Sequence, residues 1–373
     1  MSSADEKYRL GFSYIPAIGP VRFKQIETFF SSLEEAWGAD AASLKKSGLD
    51  ENTVRSFIRL RPAIDLDARL ERMRRLEISL VSWHDSGYPA RLKEVYDHPH
   101  VLFRRGEIKP ADELCLGVVG SRRPTLYGRQ VAEEFCAGLA HNKITVVSGL
   151  ARGIDTISHG AALASGGRTL AVLGGGLDTI YPAENSQLAT RITANGALLS
   201  EYPPGVRPRP EHFPRRNRIL AGLCLGVLVV EAGETSGALI TAQLALEQNR
   251  EVFAIPGSIL SPASAGCNRL IQEGAKLATS IGDILEELNM SATACQPEIL
   301  GMKADSAIET LLLQNLGAEP RHIDEICRAA EIPANIVSGA LTVLEIKGLV
   351  KQVGAMNFAL VRDSDRAYSV RVE

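Results

Sequence analysis

The chain has 373 residues and a formal net charge of −3 at pH 7, with 45% hydrophobic and 23% charged residues. This length is too great for one ordinary core and the composition is that of a soluble globular protein, so we expect two or three domains. The net charge excludes a globally basic nucleic-acid binder but allows a local basic patch.

The first segment, residues 1–77, has short helical patterns, many charges and no strand-like run. Residues 15–21, the helical pattern 23–30 and residues 44–49 are similar to degenerate helix-hairpin-helix or SAM-like repeats. Such hairpins can hold phosphate through backbone N–H groups; packing or protein contact is the alternative. The N-terminus lacks the apolar core of a signal peptide and no apolar run reaches the length of a membrane span, so we expect a cytoplasmic protein without a membrane partner.

The middle segment, residues 78–290, alternates strands and helices. Strands are predicted at residues 114–119, 144–147, 169–173, 197–199, 225–230 and 251–255. Each is short, apolar and rich in Val, Leu and Ile, as expected when both faces are buried. Residues 128–142 repeat apolar side chains every four positions, which predicts a helix. The repeated β-α-β pattern predicts an α/β fold with a doubly wound, mostly parallel, Rossmann-like sheet.

Glycine or a small hydroxyl residue follows every predicted strand. Ligands bind at this edge of open α/β sheets, because glycine lets the backbone approach closely and the next helix offers free N–H groups to an anion. Any one of these glycines needs no functional explanation, since βα turns require glycine. All six strand ends together, with arginines among them, favour an extended shelf for a polyphosphate backbone.

Two parts of the middle segment are locally basic. Residues 116–129 contain no acid and hold Arg122, Arg123 and Arg129. Residues 205–218 contain Glu211 as the one acid and hold Arg207, Arg209, Arg215, Arg216 and Arg218. Arginine binds phosphate through a rigid bidentate fork, and the nearby Tyr181 and Phe213 can stack on bases. The alternative is an ion pair of Arg216 or Arg218 with Glu201 or Glu231, which we expect for one arginine and not for all.

Enzymatic interpretations find little support. A dinucleotide site needs G-x-G-x-x-G and a nucleotide site a P-loop, and the sequence has neither. Ser148, Asp155 and His159 could form a triad, but the last two lie four apart on one helix face, where a local pair is simpler. Glu201, Glu231 and Asp155 could hold Mg²⁺ for a nuclease, yet no closely spaced acidic motif is present. None of the six cysteines forms a Cys-x-x-Cys pair, so we expect buried free thiols, no metal and no cofactor.

Several motifs lie in order along residues 80–280. They are Gly120-Ser121-Arg122, Ser148-Gly149-Leu150-Ala151-Arg152-Gly153-Ile154-Asp155, residues 173–178, Tyr181-Pro182 with Asn185, Ser200-Glu201, Phe213-Pro214-Arg215-Arg216-Asn217-Arg218 and Pro256-Gly257. Together they resemble the motifs of the DprA/Smf family of recombination mediators. The resemblance implies a non-enzymatic protein that binds single-stranded DNA, forms a homodimer through its Rossmann domain and loads the recombinase RecA onto DNA during natural transformation.

The resemblance also implies DNA phosphate sites at Gly120-Ser121-Arg122 and at Arg216-Asn217-Arg218. The full set of predicted DNA-binding residues is Gly120, Ser121, Arg122, Ser148, Gly149, Arg152, Gly153, Asn185, Arg215, Arg216, Asn217, Arg218, Ser236 and Gly237. Two positions depart from the family's pattern. Ala238 replaces a hydroxyl residue, and residues 183–185 lack a lysine that some relatives carry, which removes a candidate cationic contact there.

Two other functions are compatible with a sheet of this kind, and the late part of the segment offers a candidate dimer surface. A nucleotide-processing hydrolase of the lysine-decarboxylase-like (LOG) type uses a similar sheet, but it carries Pro-Gly-Gly-x-Gly-Thr where residues 231–237 read Glu-Ala-Gly-Glu-Thr-Ser-Gly. A purely structural scaffold is the third possibility. The apolar stretch around Leu270, Ile271 and Leu277 is a candidate dimer surface, and the alternative is that it belongs to the monomer's core.

The last segment, residues 304–362, follows a polar, proline-containing linker at residues 291–297. Predicted helices at 306–315, 323–330 and 335–347 precede a strand–turn–strand at 349–360 around Gly354, which resembles a winged helix. The expected recognition helix has Lys347 as its base, with Glu345 nearby. Groove binding would be weak without phosphate-neutralising charge, so we expect a protein-contact or structural role.

Overall fold

A computed structural model describes residues 3–290, 307–316, 321–330, 332–346, 349–352 and 356–360. Residues 1–293 form one compact unit, and residues 294–373 form a second. The predicted linker at 291–297, Cys295, Lys347 and Gly354 lie outside the described residues. Among the described helices, none is long and apolar enough to cross a membrane.

The N-terminal part of the first unit is helical, as predicted. It consists of α1 (Ser3–Ser13), α2 (Pro20–Phe29), α3 (Leu33–Gly38), α4 (Ala41–Lys46), α5 (Glu51–Leu60) and α6 (Leu66–Arg75). Asp40, Asp50 and Asp65 precede α4, α5 and α6, and each carboxylate accepts a hydrogen bond from the backbone N–H three residues later. These caps satisfy donors that a helix start leaves free, which explains why the helices begin there. Phe12 and Phe57 stack at the centre of this part, with ring centroids 5.4 Å apart.

The remainder of residues 3–290 is built on a nine-stranded sheet. Its strands are β1 (Ser79–Ser82), β2 (Val101–Gly106), β3 (Cys115–Val119), β4 (Thr145–Ser148), β5 (Thr169–Val172), β6 (Gly196–Ser200), β7 (Gly226–Val229), β8 (Glu251–Ala254) and β9 (Lys276–Leu277). The spatial order is β1-β2-β6-β5-β4-β3-β7-β8-β9. Strands β3 to β9 pair in parallel, and β1 and β2 are antiparallel additions beside β6. The doubly wound, mostly parallel sheet is confirmed, and β3 to β8 each end within one residue of the prediction.

Helices cover both faces of the sheet. They are α7 (Ala90–Lys93), α8 (Leu126–His141), α9 (Ile154–Ala164), α10 (Ser186–Ala194), α11 (His212–Leu223), α12 (Gly237–Glu247), α13 (Ala265–Gln272) and α14 (Ile281–Glu287). Successive residues of a strand point to opposite faces, so Val146 and Val147 of β4 enter different cores. Val146 packs with Leu139 of α8, and Val147 lies in the core that holds Leu220 of α11. The sheet is therefore buried on both faces, which explains its apolar strands.

The second unit is a winged helix, which confirms the predicted fold of the last segment. It contains α15 (Ala307–Asn315), β10 (Arg321–His322), α16 (Ile323–Ala330), α17 (Ala334–Ile346), β11 (Val350–Gln352) and β12 (Asn357–Leu360). The strands pair antiparallel in the order β10-β12-β11. Leu312, Ile326 and Leu341 are fully buried and bring the three helices together.

Candidate nucleic-acid interface

A groove of about 740 Å³ lies over the carboxyl ends of β3, β4 and β7. Strand β3 has β4 on one side and β7 on the other, so the chain winds in opposite directions from it. Open α/β sheets bind ligands at such a switch point. We name this the strand-tip groove, and its lining includes Gly120, Ser121, Arg122, Tyr181, Phe213, Asn217, Ser236 and Gly237.

Arg122 is an exposed cation on this groove. The backbone N–H of Ser121 donates to the carbonyl of Glu231 at 2.7 Å, and the carbonyl of Ser121 accepts from the N–H of Ile154 at 3.1 Å. The turn that carries Arg122 is thus held from two sides. The guanidinium carbon lies 5.9 Å from the centroid of the Phe213 ring, and no described carboxylate pairs with it. Its charge is therefore available to an anion.

Two aromatic rings lie beside Arg122. Tyr181 is 55% exposed, and its ring centroid is 5.8 Å from that of Phe213 at an angle of 43°. Exposed rings of this kind are the stacking platforms of single-strand binders, because every base has a π-face. The prediction that Tyr181 and Phe213 lie near the arginines agrees with this placement.

Glycine is required where the β3 and β4 turns meet. Gly153 has a φ of +77°, and a Cβ built there would lie 2.3 Å from the carbonyl oxygen of Ser121. A Cβ on Gly120 would lie 2.7 Å from Cγ1 of Ile154. Side chains at these two positions would force the turns apart, so Gly120 and Gly153 shape the floor of the groove.

Arg216 lies beneath the groove, not on its surface. Its side chain is buried, and Nη1 donates to the carbonyls of Gly149, at 2.7 Å, and Val172. A Cβ on Gly149 would lie 2.4 Å from Nη2 of Arg216, so the glycine makes room for the guanidinium. Burial lowers the pKa of Arg216 to about 10 and raises the pKa of the buried Asp155, although the two opposite charges favour one another. Arg216 thereby joins the ends of β4 and β5 to α11.

The neighbouring residues of α11 have different roles. Arg218 pairs with Glu201 and also lies 3.3 Å from Asp97, and its side chain is 12% exposed. The ion pair expected for one of these arginines is therefore the one between Arg218 and Glu201. Asn217 accepts a hydrogen bond from Nε of Arg216 at 3.1 Å. Arg215 is exposed and forms no ion pair with the described residues.

Three other predicted residues are engaged by the protein itself. The buried hydroxyl of Ser148 donates to a carbonyl of β3 at 2.6 Å. The buried amide of Asn185 donates to the carbonyl of Leu150 at 2.9 Å. Arg152 is exposed, and its two donors bind the carboxylate of Glu184 at 2.7 and 2.9 Å. These contacts hold the β4 turn in place.

The far rim of the groove is the start of α12. Ser236 caps this helix by accepting a hydrogen bond from the N–H of Ala238 at 3.3 Å. Gly237 is exposed, and a Cβ there would meet no atom within 4 Å. Thr235, Ile240 and Thr241 also line this rim. They were absent from the predicted site, although their position in the turn and first helical turn after β7 is a signal that could have indicated them.

The groups that enzymatic interpretations would need have structural partners. Glu231 is 2% exposed, and its carboxylate accepts the N–H of Thr125, at 3.1 Å, and the hydroxyl of the same residue. His159 bonds through Nδ1 to the hydroxyl of Thr169 at 2.6 Å, and burial lowers its pKa to about 3. Ser148, Asp155 and His159 thus form no triad. Within the described part of the chain, no group of three His, Cys, Asp or Glu could hold a metal ion.

The described cysteines are free thiols. Cys327 is half-buried, and the buried ones are Cys115, Cys136, Cys224 and Cys267.

Two family models match the chain. The model of DNA recombination-mediator protein A matches residues 79–289, and the model of the DprA winged helix domain matches residues 302–356. The first match covers the sheet and its strand-tip groove, and the second covers most of the winged helix.

Several known proteins are similar to the chain. DNA processing protein DprA of Streptococcus pneumoniae is 51% identical over 203 residues, which cover 54% of this chain and 72% of that protein. Protein Smf of Escherichia coli is 40% identical, over 84% of this chain and 86% of its own length. The X-ray structure of the S. pneumoniae protein has a TM-score of 0.67 and 40% identity, and covers 77% of this chain and 98% of the other. A structure of DNA processing protein A from Helicobacter pylori is described for its single-stranded DNA binding mode. It has a TM-score of 0.52 and 30% identity, and the match covers 57% of this chain and 96% of the other.

Proposed function

This chain belongs to the DprA/Smf family of DNA recombination mediators, and on that premise we propose that it binds single-stranded DNA in the strand-tip groove. The relative from H. pylori is described as binding single-stranded DNA, and the fold match to it covers 57% of this chain. The bound strand would lie across the ends of β3, β4 and β7.

The placement of Arg122 carries the proposal. It is an exposed guanidinium without an ion pair in the described residues, 5.9 Å from the Phe213 ring and at the mouth of a groove. A phosphate beside Arg122 would receive two parallel hydrogen bonds from the fork of the side chain. The next base would lie on Phe213 or Tyr181. One nucleotide would thus be held by charge at its phosphate and by stacking at its base, which requires an unpaired strand.

The predicted site residues divide into two groups under this proposal. Arg122, Ser121, Ser236 and Gly237 face the strand-tip groove, as do Phe213 and Tyr181, and the exposed Arg215 lies on the other side of α11. Ser148, Gly149, Arg152, Gly153, Asn185, Arg216, Asn217 and Arg218 hold the turns that present them, and Gly120 clears the floor. The second group would affect affinity through the shape of the groove.

We propose that the protein has no enzymatic activity of its own. Asp155 and Glu231 accept hydrogen bonds from backbone N–H groups, so neither is poised as a general base. The lysine-decarboxylase-like alternative has no observation that favours it.

We also propose that the protein loads RecA onto the bound strand in natural transformation, that it is a homodimer and that it acts in the cytoplasm. A recombination mediator must pass its DNA to a recombinase, and an extended strand on an open groove suits that transfer. The late Rossmann surface supports a dimer in part. Leu270 is buried in the core, but Leu277 of the edge strand β9 is 42% exposed. Buried free thiols such as Cys136 suit a reducing compartment.

The test is a gel shift with single-stranded and duplex DNA of one length at two salt concentrations. We expect tighter binding of the single strand and a loss of affinity as salt rises, because the contacts are mainly to phosphate. Equal affinity for single-stranded and duplex DNA, or an affinity that does not change with salt concentration, contradicts the proposal. Turnover of DNA or nucleotide that needs Mg²⁺ and disappears in Asp155→Asn contradicts the absence of catalysis.

A further inference from the structure

A second groove, of about 670 Å³, lies on the other side of the start of α11. We name it the arginine groove. One wall comes from residues 201–218 and contributes Arg207, Arg209, Arg215 and Arg218. The other wall comes from the N-terminal helices and contributes Tyr14, Pro16, Gly19 and Pro20. The groove is therefore a shared surface of the helical part and the sheet, within the same compact unit.

The arginine groove is cationic. Arg207 and Arg215 are exposed and form no ion pair with the described residues. Arg209 is 69% exposed and lies 3.9 Å from Glu211, a distance that binds it weakly. The one acid in the lining is Glu201, whose carboxylate is already paired with Arg218. Three guanidinium groups thus remain for an external anion.

Two side chains that line the groove each have a buried polar atom without a partner among the described residues. His100 is 6% exposed, and its Nε2 has no hydrogen-bond partner among the described residues. Nη1 of Arg218 is likewise buried and unpartnered. The guanidinium N–H groups of Arg218 are donors only, so a small shift of this side chain toward the groove would favour a ligand with acceptor oxygens over an apolar one.

The two grooves lie on either side of the start of α11. Pro210, Phe213 and Asn217 line the strand-tip groove, while Arg209 and Arg215 line the arginine groove. The end of β6 is three strand spacings from the end of β3, which is about 14 Å. An extended single strand has its phosphates farther apart than the about 3.4 Å per nucleotide of a stacked duplex strand, so it crosses that distance in fewer than about four nucleotides.

We propose that a single strand held at Arg122 and Phe213 continues over the start of α11 into the arginine groove, where its phosphates meet Arg207, Arg209 and Arg215 against the turn at residues 14–20. This inference rests on the proposed function, because it extends the same bound strand. It gives the N-terminal helices a direct part in DNA binding and sets the direction in which the strand leaves the strand-tip groove. An acidic peptide would match the charge of the arginine groove, but it would not use the stacking rings of the strand-tip groove.

The test compares two probes, an oligothymidine of about 16 nucleotides and a thymidine dinucleotide, which is too short to reach both grooves. The variants are the double change Arg207→Ala with Arg209→Ala, and Arg122→Ala. The matched control is Arg191→Ala, since Arg191 is exposed near the end of α10, at the opposite edge of the sheet. Gly19→Glu examines the N-terminal wall, because Gly19 lines the arginine groove, a Cβ there meets no atom within 4 Å, and the change adds a negative charge to the lining.

We expect the double variant and Gly19→Glu to weaken binding of the long probe, with the melting temperature unchanged. For the double variant, the slope of log affinity against log salt should fall by about 1.4, since each single-strand phosphate contact contributes about 0.7. Binding of the short probe, measured by competition, should be unchanged in both, whereas Arg122→Ala should weaken both probes. The control should match the wild type.

Two results would overturn the path alone. In the first, the double variant binds the long probe with the affinity and salt slope of the wild type while Arg122→Ala is weakened; the proposed function then stands and the strand ends at Phe213. In the second, the double variant weakens both probes equally, so the effect is not specific to the arginine groove. Failure of the wild type to bind either probe would reject the proposed function and the path together.

Discussion

Replacing Arg122 by alanine separates a DNA contact from a structural role more sharply than any other single change. The side chain is exposed, touches Phe213 at 5.9 Å and has no ion pair in the described residues. Its loss should therefore leave the free energy of unfolding within about 0.5 kcal/mol of the wild type. The loss of one charge-assisted phosphate contact costs about 1.5–3 kcal/mol, which is roughly a tenfold to hundredfold loss of affinity.

The assay measures anisotropy of a labelled oligothymidine and thermal unfolding on the same sample. Arg122→Lys should recover part of the affinity, because lysine keeps the charge but cannot form the bidentate fork. Arg191→Ala, which removes an equal charge far from the groove, should behave as the wild type. Normal affinity together with a clearly lowered melting temperature would assign Arg122 to the scaffold and refute the reasoning.

Four further outcomes follow from the described contacts. Phe213→Ala should cost about 1–3 kcal/mol of binding for oligonucleotides of any base, and a loss confined to one base would argue for hydrogen-bond readout instead. Arg216→Ala leaves Asp155 buried without its counter-charge, so the free energy of unfolding measured by urea titration should fall by about 3–5 kcal/mol. An unchanged midpoint would mean that Arg216 is dispensable to the fold. In Gly153→Ala, the alanine would have to adopt a φ of +77° with a carbonyl oxygen close to its Cβ, which costs about 1–3 kcal/mol of strain. Melting temperature and DNA affinity should therefore both fall, and a variant as stable as the wild type contradicts the tight turn. Light scattering should report a dimer at micromolar concentration and a monomer for Leu277→Glu, and a wild-type monomer would reject the dimer.

The location of the strand-tip groove could be predicted from the sequence because the relevant signals are local. Apolar runs of four to six residues that end in glycine indicate parallel strands and their carboxyl ends, and all such ends meet at one edge. Gly120-Ser121-Arg122 was placed correctly at the end of β3 for this reason.

The different environments of the arginines of α11 could not be predicted so readily. Arg215, Arg216 and Arg218 carry the same charge within four residues, but the helix turns them to different surroundings. Arg216 lies one helical turn before Leu220 and two before Leu223, so it shares their buried face. That spacing indicates a buried position. A guanidinium is buried only where acceptors are present, and the carbonyls of Gly149 and Val172 that accept from Arg216 are known only from the fold.

Strands β1, β2 and β9 were missed for a different reason. Strand β1 has four residues and β9 has two, and neither stands out as an apolar run. Strand β2 ends in Arg104-Arg105-Gly106, which reads as a loop, and it pairs with β1 across 18 residues without a tight-turn signal. Strands β1 and β9 form the two edges of the sheet, and short edge strands are common because they limit pairing with other chains.

Photocrosslinking tests the central claim most directly. A thymidine oligonucleotide that carries a photoreactive base is irradiated on the protein, and the attached peptides are identified by mass spectrometry. The proposed site predicts adducts at Phe213 and Tyr181 that are lost in Arg122→Ala. Adducts confined to residues 307–360, with none on the strand-tip groove, would contradict the account.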